Sequence, residues 1–192
     1  MLTAIADALK MPRIRGFIAD RCGSVFAEFA VAMPVLIILI LGGVEVGRYV
    51  LLHQKLNRLA ATTSDLVSQA QSISQADLDQ IFLAANEVMS PFELGAEGVV
   101  IVSSVSATGG NPPEIDWQSS GGGSGAGSSS IGSSGGAANL PAGFTVRDGE
   151  NVIVAEVIFD FTPEFFPDVV SATQIAHHAI NRPRFGSLST LN

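Results

Sequence analysis

The sequence predicts an α+β protein with a long N-terminal transmembrane helix that continues into an amphipathic helix and packs against a small antiparallel sheet. The transmembrane prediction rests on the run from Phe29 to Val44, which contains no charged residue. In the whole chain of 192 residues, 15% are charged. The sheet prediction rests on two segments rich in β-branched residues, 98–106 and 151–161, because such residues favour strands. This length suits one small domain with an anchor.

The membrane helix needs more than the uncharged run. At about 1.5 Å per residue the run covers roughly 24 Å, which is less than the roughly 30 Å hydrocarbon core. The run is extended upstream by Val25, Phe26 and Ala27, and downstream by the apolar residues Val46, Tyr49, Val50, Leu51 and Leu52. No A-x-A-like site follows the run, so we expect no cleavage by ordinary signal peptidase. The residues before it include four cations, which indicates a cytoplasmic N-terminus and an exported body: Lys10, Arg13, Arg15 and Arg21.

Three features inside this segment have open alternatives. Pro34 removes a helical hydrogen bond, so it either only kinks the helix or has a function there. Gly43 and Gly47 form a G-x-x-x-G pair that lets another helix approach closely, unless the pair is accidental. Glu45 and Arg48, three residues apart, are expected to form a local interfacial pair or to pair between molecules.

Helical signals continue beyond the membrane segment. Apolar or small residues recur every three or four positions, which predicts one amphipathic helix to about residue 70: Leu52, Leu56, Leu59, Thr63, Leu66 and Ala70. Ser74 followed by Asp77 predicts the N-terminus of a second helix, and Pro91 predicts its end. We interpret acids in this first turn as favouring the helix dipole, and we expect no metal there.

The remainder predicts a small sheet. Strands are expected at 98–106, 151–161 and 173–183, with Trp117 as a packing residue. Residues 119–138 are almost entirely Gly, Ser and Ala, which predicts a flexible, disordered loop. A phosphate-binding glycine loop is disfavoured because no G-x-x-x-x-G-K-[ST] motif occurs.

Composition argues against nucleic-acid binding and catalysis. The net charge is −8, which opposes binding to phosphate backbones. The adjacent His177 and His178 on a strand point to opposite faces, so we do not expect them to bind one metal ion together. We also expect no cofactor. Glu156 and Asp160 share a strand face that we interpret as solvated. We therefore expect no enzyme. A membrane-tethered enzyme that uses His177 is the least favoured alternative.

The segment GSVFAEFAVAMPVLIILILGGVEVGRYVLLHQKLNRLA, residues 23–60, resembles the TadE-like family of tight-adherence pilus proteins, which are pseudopilins related to type IV prepilins. The C-terminal segment Arg182–Gly186 (RPRFG) resembles the end of these proteins more weakly. The N-terminal resemblance lies at Gly23, Glu28, Phe29, Pro34, Glu45, Gly47 and Arg48.

The resemblance implies processing by a prepilin peptidase between Gly23 and Ser24, which would remove the basic leader together with Cys22. Glu28 and Phe29 would then serve peptidase recognition or subunit pairing. A carboxylate in hydrocarbon is costly without a partner, and cleavage creates an ammonium group at Ser24. Glu28 would pair with that group in its own subunit or in the next one. In an uncut anchor, Glu28 would instead face water in the headgroup region.

We therefore expect four regions in the chain: a leader at 1–23, a transmembrane helix at 24–52, an exported helical region at 53–90 and an α+β body at 91–192. The resemblance implies a minor pseudopilin of the bacterial inner membrane, or a subunit incorporated into the pilus, with a periplasmic or extracellular body. Its implied partners are the membrane, a prepilin peptidase, the major pilin, other pseudopilins, and the assembly platform with its ATPase. The alternative is an uncut single-pass binding module displayed outside the cytoplasmic membrane.

Overall fold

The computed structural model describes residues 22–165, 167 and 170–192, with side chains from Val25 onward. Most of the predicted leader therefore lies outside the described residues. The chain forms two compact units that divide between Val44 and Glu45. Its helices are α1 (Cys22–Ser68) and α2 (Gln75–Met89), and its strands are β1 (Gly98–Ser106), β2 (Glu114–Gly121), β3 (Asn151–Phe161) and β4 (Thr173–Asn181). The predicted α+β class is confirmed.

The part of α1 before Glu45 is a helix with its apolar side chains exposed. Pro34 lies inside the helix, and large side chains such as Ile38, Leu39 and Ile40 are between 54% and 65% exposed. Within the described ranges, α1 is the one helix that is long and apolar enough to cross a membrane. A helix with exposed apolar side chains on all sides suits lipid rather than water, which supports single-pass anchoring.

Beyond Glu45, α1 buries one stripe of side chains. Leu52, Leu56 and Leu59 are at most 2% exposed, as the spacing predicts. The prediction is wrong for Leu66, which is 45% exposed, because Val67 occupies the buried position instead. The reason is geometric, since 3.6 residues per turn shift the buried face after several turns.

Helix α2 begins with the predicted cap. Ser74 Oγ accepts from the Asp77 amide at 3.3 Å, and the Asp77 carboxylate accepts from the Ser74 amide at 3.0 Å, which completes a capping box. The Ser74 hydroxyl also donates to the Asp77 carboxylate at 2.6 Å. This bond and the one from the Ser74 amide stabilise the charged carboxylate, so they hold the pKa of Asp77 below its ordinary value. The helix ends at Met89, two residues before Pro91. Its buried face consists of Leu78, Phe82, Ala85 and Met89.

The four strands form one antiparallel sheet in the order β2-β1-β3-β4. The predicted first, second and third strands are β1, β3 and β4. Strand β2 was not predicted, because its residues Glu114–Gly121 lie between a proline pair and the Gly/Ser-rich stretch. Trp117 on β2 is 6% exposed, and its indole N–H donates to the Leu188 carbonyl at 2.7 Å. The predicted packing role of Trp117 is confirmed.

The two faces of the sheet pack against different parts of the chain. Ile153, Ala155 and Val157 of β3 lie in one core with buried side chains from α1 and α2. Val152 and Val154 point the other way and share a second core with Ile131, from the chain between β2 and β3. Since alternate residues of a strand face opposite sides, β3 is buried on both.

The Gly/Ser-rich segment differs from the disordered loop expected at 119–138. Its first three residues belong to β2, and Ile131 is 1% exposed. At Gly123, a Cβ atom would lie 2.2 Å from the Gly98 carbonyl oxygen and 2.8 Å from that of Gly95. Close backbone approach, not flexibility alone, therefore explains glycine here. Composition indicated disorder because it does not reveal which backbone a glycine lies against.

Candidate functional site

The predicted processing site lies at the start of α1. Gly23 and Ser24 are in its first turn, and the Ser24 side chain lies outside the described part of the structure. Glu28 and Phe29 follow on the same helix, where both are exposed and Phe29 is 55% exposed. Glu28 lines an open groove with apolar residues of the next two turns, Val31, Ala32, Val35 and Leu36.

The predicted helix-packing residues leave space around α1. No heavy atom outside the local helix backbone lies within 4 Å of the position where a Cβ would stand on Gly43 or Gly47. Pro34 lies in the same helix. A narrow helix surface of this kind allows another helix to approach closely. The packing role of Pro34, Gly43 and Gly47 stays a prediction.

Glu45 lies in a site that sequence analysis did not anticipate. Its side chain is fully buried. Oε2 accepts hydrogen bonds from the backbone amides of Glu164 at 3.2 Å and Phe165 at 2.9 Å. Oε1 is buried and has no hydrogen-bond partner among the described residues. Two converging backbone amides stabilise a carboxylate.

Arg48 also contacts the segment of residues 164–165. Its guanidinium forms an ion pair with the Glu164 carboxylate, and the Arg48 and Glu164 side chains are 30% and 64% exposed. The structure thus gives Glu45 and Arg48 different partners from the local pair expected. The reason is tertiary: residues 164–165 bring an amide pair to Glu45 and a carboxylate to Arg48. Spacing along one helix cannot reveal a partner more than one hundred residues away.

An aromatic cluster connects α1 to β3 and β4. His53 Nδ1 lies 2.9 Å from His177 Nε2, and the two rings meet edge to face. Tyr49 contacts both the His53 ring and Phe161, with ring centroids 4.6 Å and 5.3 Å apart. Burial lowers the pKa of His177, and the neighbouring His53 and His178 lower it further. Among the described residues, no group of three or more His, Cys, Asp or Glu side chains is arranged to hold a metal ion.

Glu156 is the second acidic residue whose burial and hydrogen-bond partners differ from the prediction. Its side chain was expected on a solvated face, but the residue is 3% exposed. Its carboxylate accepts from the Ser130 amide at 2.9 Å, from Ser130 Oγ at 2.5 Å and from Ser129 Oγ. Asp160 is only partly buried and accepts from Gln174. The apolar residues on both sides of Glu156 were a usable signal, because near-continuous apolar strands are buried on both faces.

Comparisons with known proteins concern the N-terminal part of the chain. The family described as "TadE-like protein" matches residues 23–65, which is under a quarter of the chain. No curated protein and no solved structure matches the chain. The family consists of pilus components rather than an enzyme class. The match contains Gly23, Glu28, Glu45 and Arg48, and it confirms the resemblance predicted from the sequence: residues 23–65 are similar to the TadE-like family.

Proposed function

We propose that this protein is a minor pseudopilin-like component in the biogenesis of a tight-adherence, type IVb-like pilus and has no catalytic activity of its own. The observation that supports this most directly is the family match over residues 23–65, since the first part of the matched segment, before Glu45, is the exposed apolar part of α1. In this proposal α1 crosses the bacterial inner membrane, with the N-terminus cytoplasmic and the body periplasmic or extracellular.

Cleavage between Gly23 and Ser24 gives Glu28 its role in the proposal. The new α-amino group is a cation one helical turn before the Glu28 carboxylate. In a medium of low dielectric constant the attraction is strong, although desolvation opposes it. Pairing between adjacent subunits would therefore set the helix register more than it would add stability. The open surface at Gly43 and Gly47 provides room for that adjacent helix.

The proposed partners follow from the same role. They are a prepilin peptidase, the major pilin, other pseudopilins, and the assembly platform with its ATPase. Residues 1–23 would be the removed leader, 24–52 the membrane helix, and 53–192 the exported helical region and body. The body, whose sheet is covered on both faces by other parts of the chain, would lie outside the cytoplasmic membrane.

The experiment is to measure the intact mass and N-terminal residue of the membrane-extracted protein, from cells with and without their prepilin peptidase. We expect an N-terminus at Ser24 that depends on the peptidase. Glu28→Ala tests pairing and recognition, and Glu93→Ala is the matched control because Glu93 is an exposed acid in the body, far from the cleavage point. A mature protein that still begins at Met1 with the peptidase present would contradict the proposal and favour the uncut binding module.

A further inference from the structure

The lipid-facing surface of α1 does not stop at Glu45. Val46, Val50 and Leu51 are 45%, 48% and 37% exposed, so an apolar surface continues along one side of the helix. The next exposed side chains on α1 are polar, beginning at Gln54 and followed by Asn57. A helix from Phe29 to Leu51 is about 34 Å long. That length matches the roughly 30 Å hydrocarbon core with a modest tilt, whereas the uncharged run alone falls short.

Two charged residues, Glu45 and Arg48, lie within this extension, and the same short segment binds both. The Glu45 carboxylate is fully buried and accepts the amides of Glu164 and Phe165. The Arg48 guanidinium is paired with the Glu164 carboxylate. A charged side chain within a membrane is costly unless it has such a partner. Residues 164–165 thus supply the partners that allow the helix to enter lipid as far as Leu51.

Phe165 adds an apolar contribution at the same level of the helix. Its amide is bonded to Glu45, while the residue is 45% exposed. An aromatic side chain near the body-side end of a membrane helix suits this part of the bilayer, because aromatic residues are enriched towards the membrane–water interfaces.

We infer that residues 164–165 form a membrane contact, in which Glu164 and Phe165 cover the two charges of α1 and the Phe165 ring enters the bilayer near its boundary on the side of the body. The partner is therefore a lipid surface. This contact would hold the body against the bilayer at a fixed depth. The inference depends on insertion of α1 into a membrane, and it depends neither on cleavage after Gly23 nor on a role in the pilus.

The experiment uses the full chain in phosphatidylcholine–phosphatidylglycerol vesicles, with Cys22→Ser to remove the native thiol. Nitroxide labels are placed on single cysteines introduced as Phe165→Cys, Val50→Cys and Ser72→Cys. Power-saturation spectroscopy then compares accessibility to oxygen, which concentrates in lipid, with accessibility to a water-soluble nickel chelate. Ser72 is exposed and follows the far end of α1, so it is the aqueous reference.

We expect the label at position 165 to be several-fold less accessible to the nickel chelate than the label at position 72. The label at position 50 should be protected as well. Glu164→Ala should raise nickel accessibility at position 165, because it removes the ion pair with Arg48. Equal nickel accessibility at positions 165 and 72, with position 50 protected, would overturn the inference. Exposure of position 50 would also overturn it by showing that the lipid-facing surface ends earlier.

Discussion

At the scale of single residues, Glu156 shows how one buried carboxylate orders a polar segment. It accepts from two successive serines in the segment between β2 and β3. Hydrogen bonds to a charged group contribute more than neutral ones, about 1.5–3 kcal/mol each. The carboxylate thereby offsets part of the entropy lost when a Gly/Ser-rich chain is held in place.

Glu156→Ala should lower the free energy of unfolding by about 1–3 kcal/mol, because it leaves the Ser130 amide without its acceptor. It should also accelerate hydrogen exchange in residues 122–138, measured by mass spectrometry on the detergent-solubilised full chain. Asp160→Ala on the same strand face is the control, since Asp160 is only partly buried. Unchanged exchange in Glu156→Ala would show that the glycine contacts alone hold the segment.

The His53–His177 pair predicts a dependence of stability on pH. Burial and the neighbouring histidines lower the pKa of His177 in the folded protein. The unfolded chain therefore binds a proton more readily, so this contribution to stability is present above about pH 6.5 and decreases as the pH falls below it. The melting temperature, followed by circular dichroism, should fall between about pH 7 and about pH 5.

His177→Gln should flatten this pH dependence, because it removes the group whose pKa changes on folding. The exposed His178→Gln serves as the matched control and should keep most of the dependence. Asp77 does not contribute to this window, because the pKa of Asp77 is held below its ordinary value by its hydrogen bonds with Ser74. The same pH dependence in His177→Gln and in the unchanged protein would refute the assignment.

At the scale of elements, the segment between β2 and β3 acts as a covering layer for the sheet. Ile131 lies in the core with Val152 and Val154, and Gly127 approaches the side chains of Val99 and Ile158. Glycine permits this approach because it has no Cβ. The segment thus keeps the second face of β3 out of water.

Gly123→Ala should destabilise the protein by about 1–3 kcal/mol, because the added methyl group would overlap the Gly98 carbonyl oxygen and force the backbone apart. Thermal unfolding of the full chain in detergent measures the change. Ser128→Ala is the control, since Ser128 lies in the same segment and is exposed. Equal melting temperatures for the Gly123→Ala variant and the control would disprove the close-approach explanation.

At the scale of the whole molecule, the C-terminal residues connect several elements of the body. The Arg184 amide donates to the Ser68 carbonyl at the end of α1, and the Leu188 amide donates to the Asn151 side chain on β3. The Leu188 carbonyl accepts from Trp117 on β2. These contacts join the helix and the sheet through residues distant in sequence.

Leu188→Ala should lower the free energy of unfolding by about 2–5 kcal/mol, because Leu188 is 2% exposed and lies in the main core. Chemical unfolding followed by Trp117 fluorescence is a direct measurement, since Trp117 contacts this residue. Phe185→Ala, at a residue that is 62% exposed, should change the free energy by less than about 0.5 kcal/mol. Similar losses for the two variants would contradict the packing role.

Local patterns were sufficient for much of this protein. The apolar run, the capping pair Ser74–Asp77 and the β-branched stretches predicted α1, α2, β1 and β3, because each depends on neighbouring residues. Strand β2, the packed Gly/Ser segment and the partners of Glu45, Arg48 and Glu156 came only from the tertiary structure. Each of these depends on groups far away in sequence, such as the Glu164 amide or Ser130, and periodicity or composition carries no information about such partners.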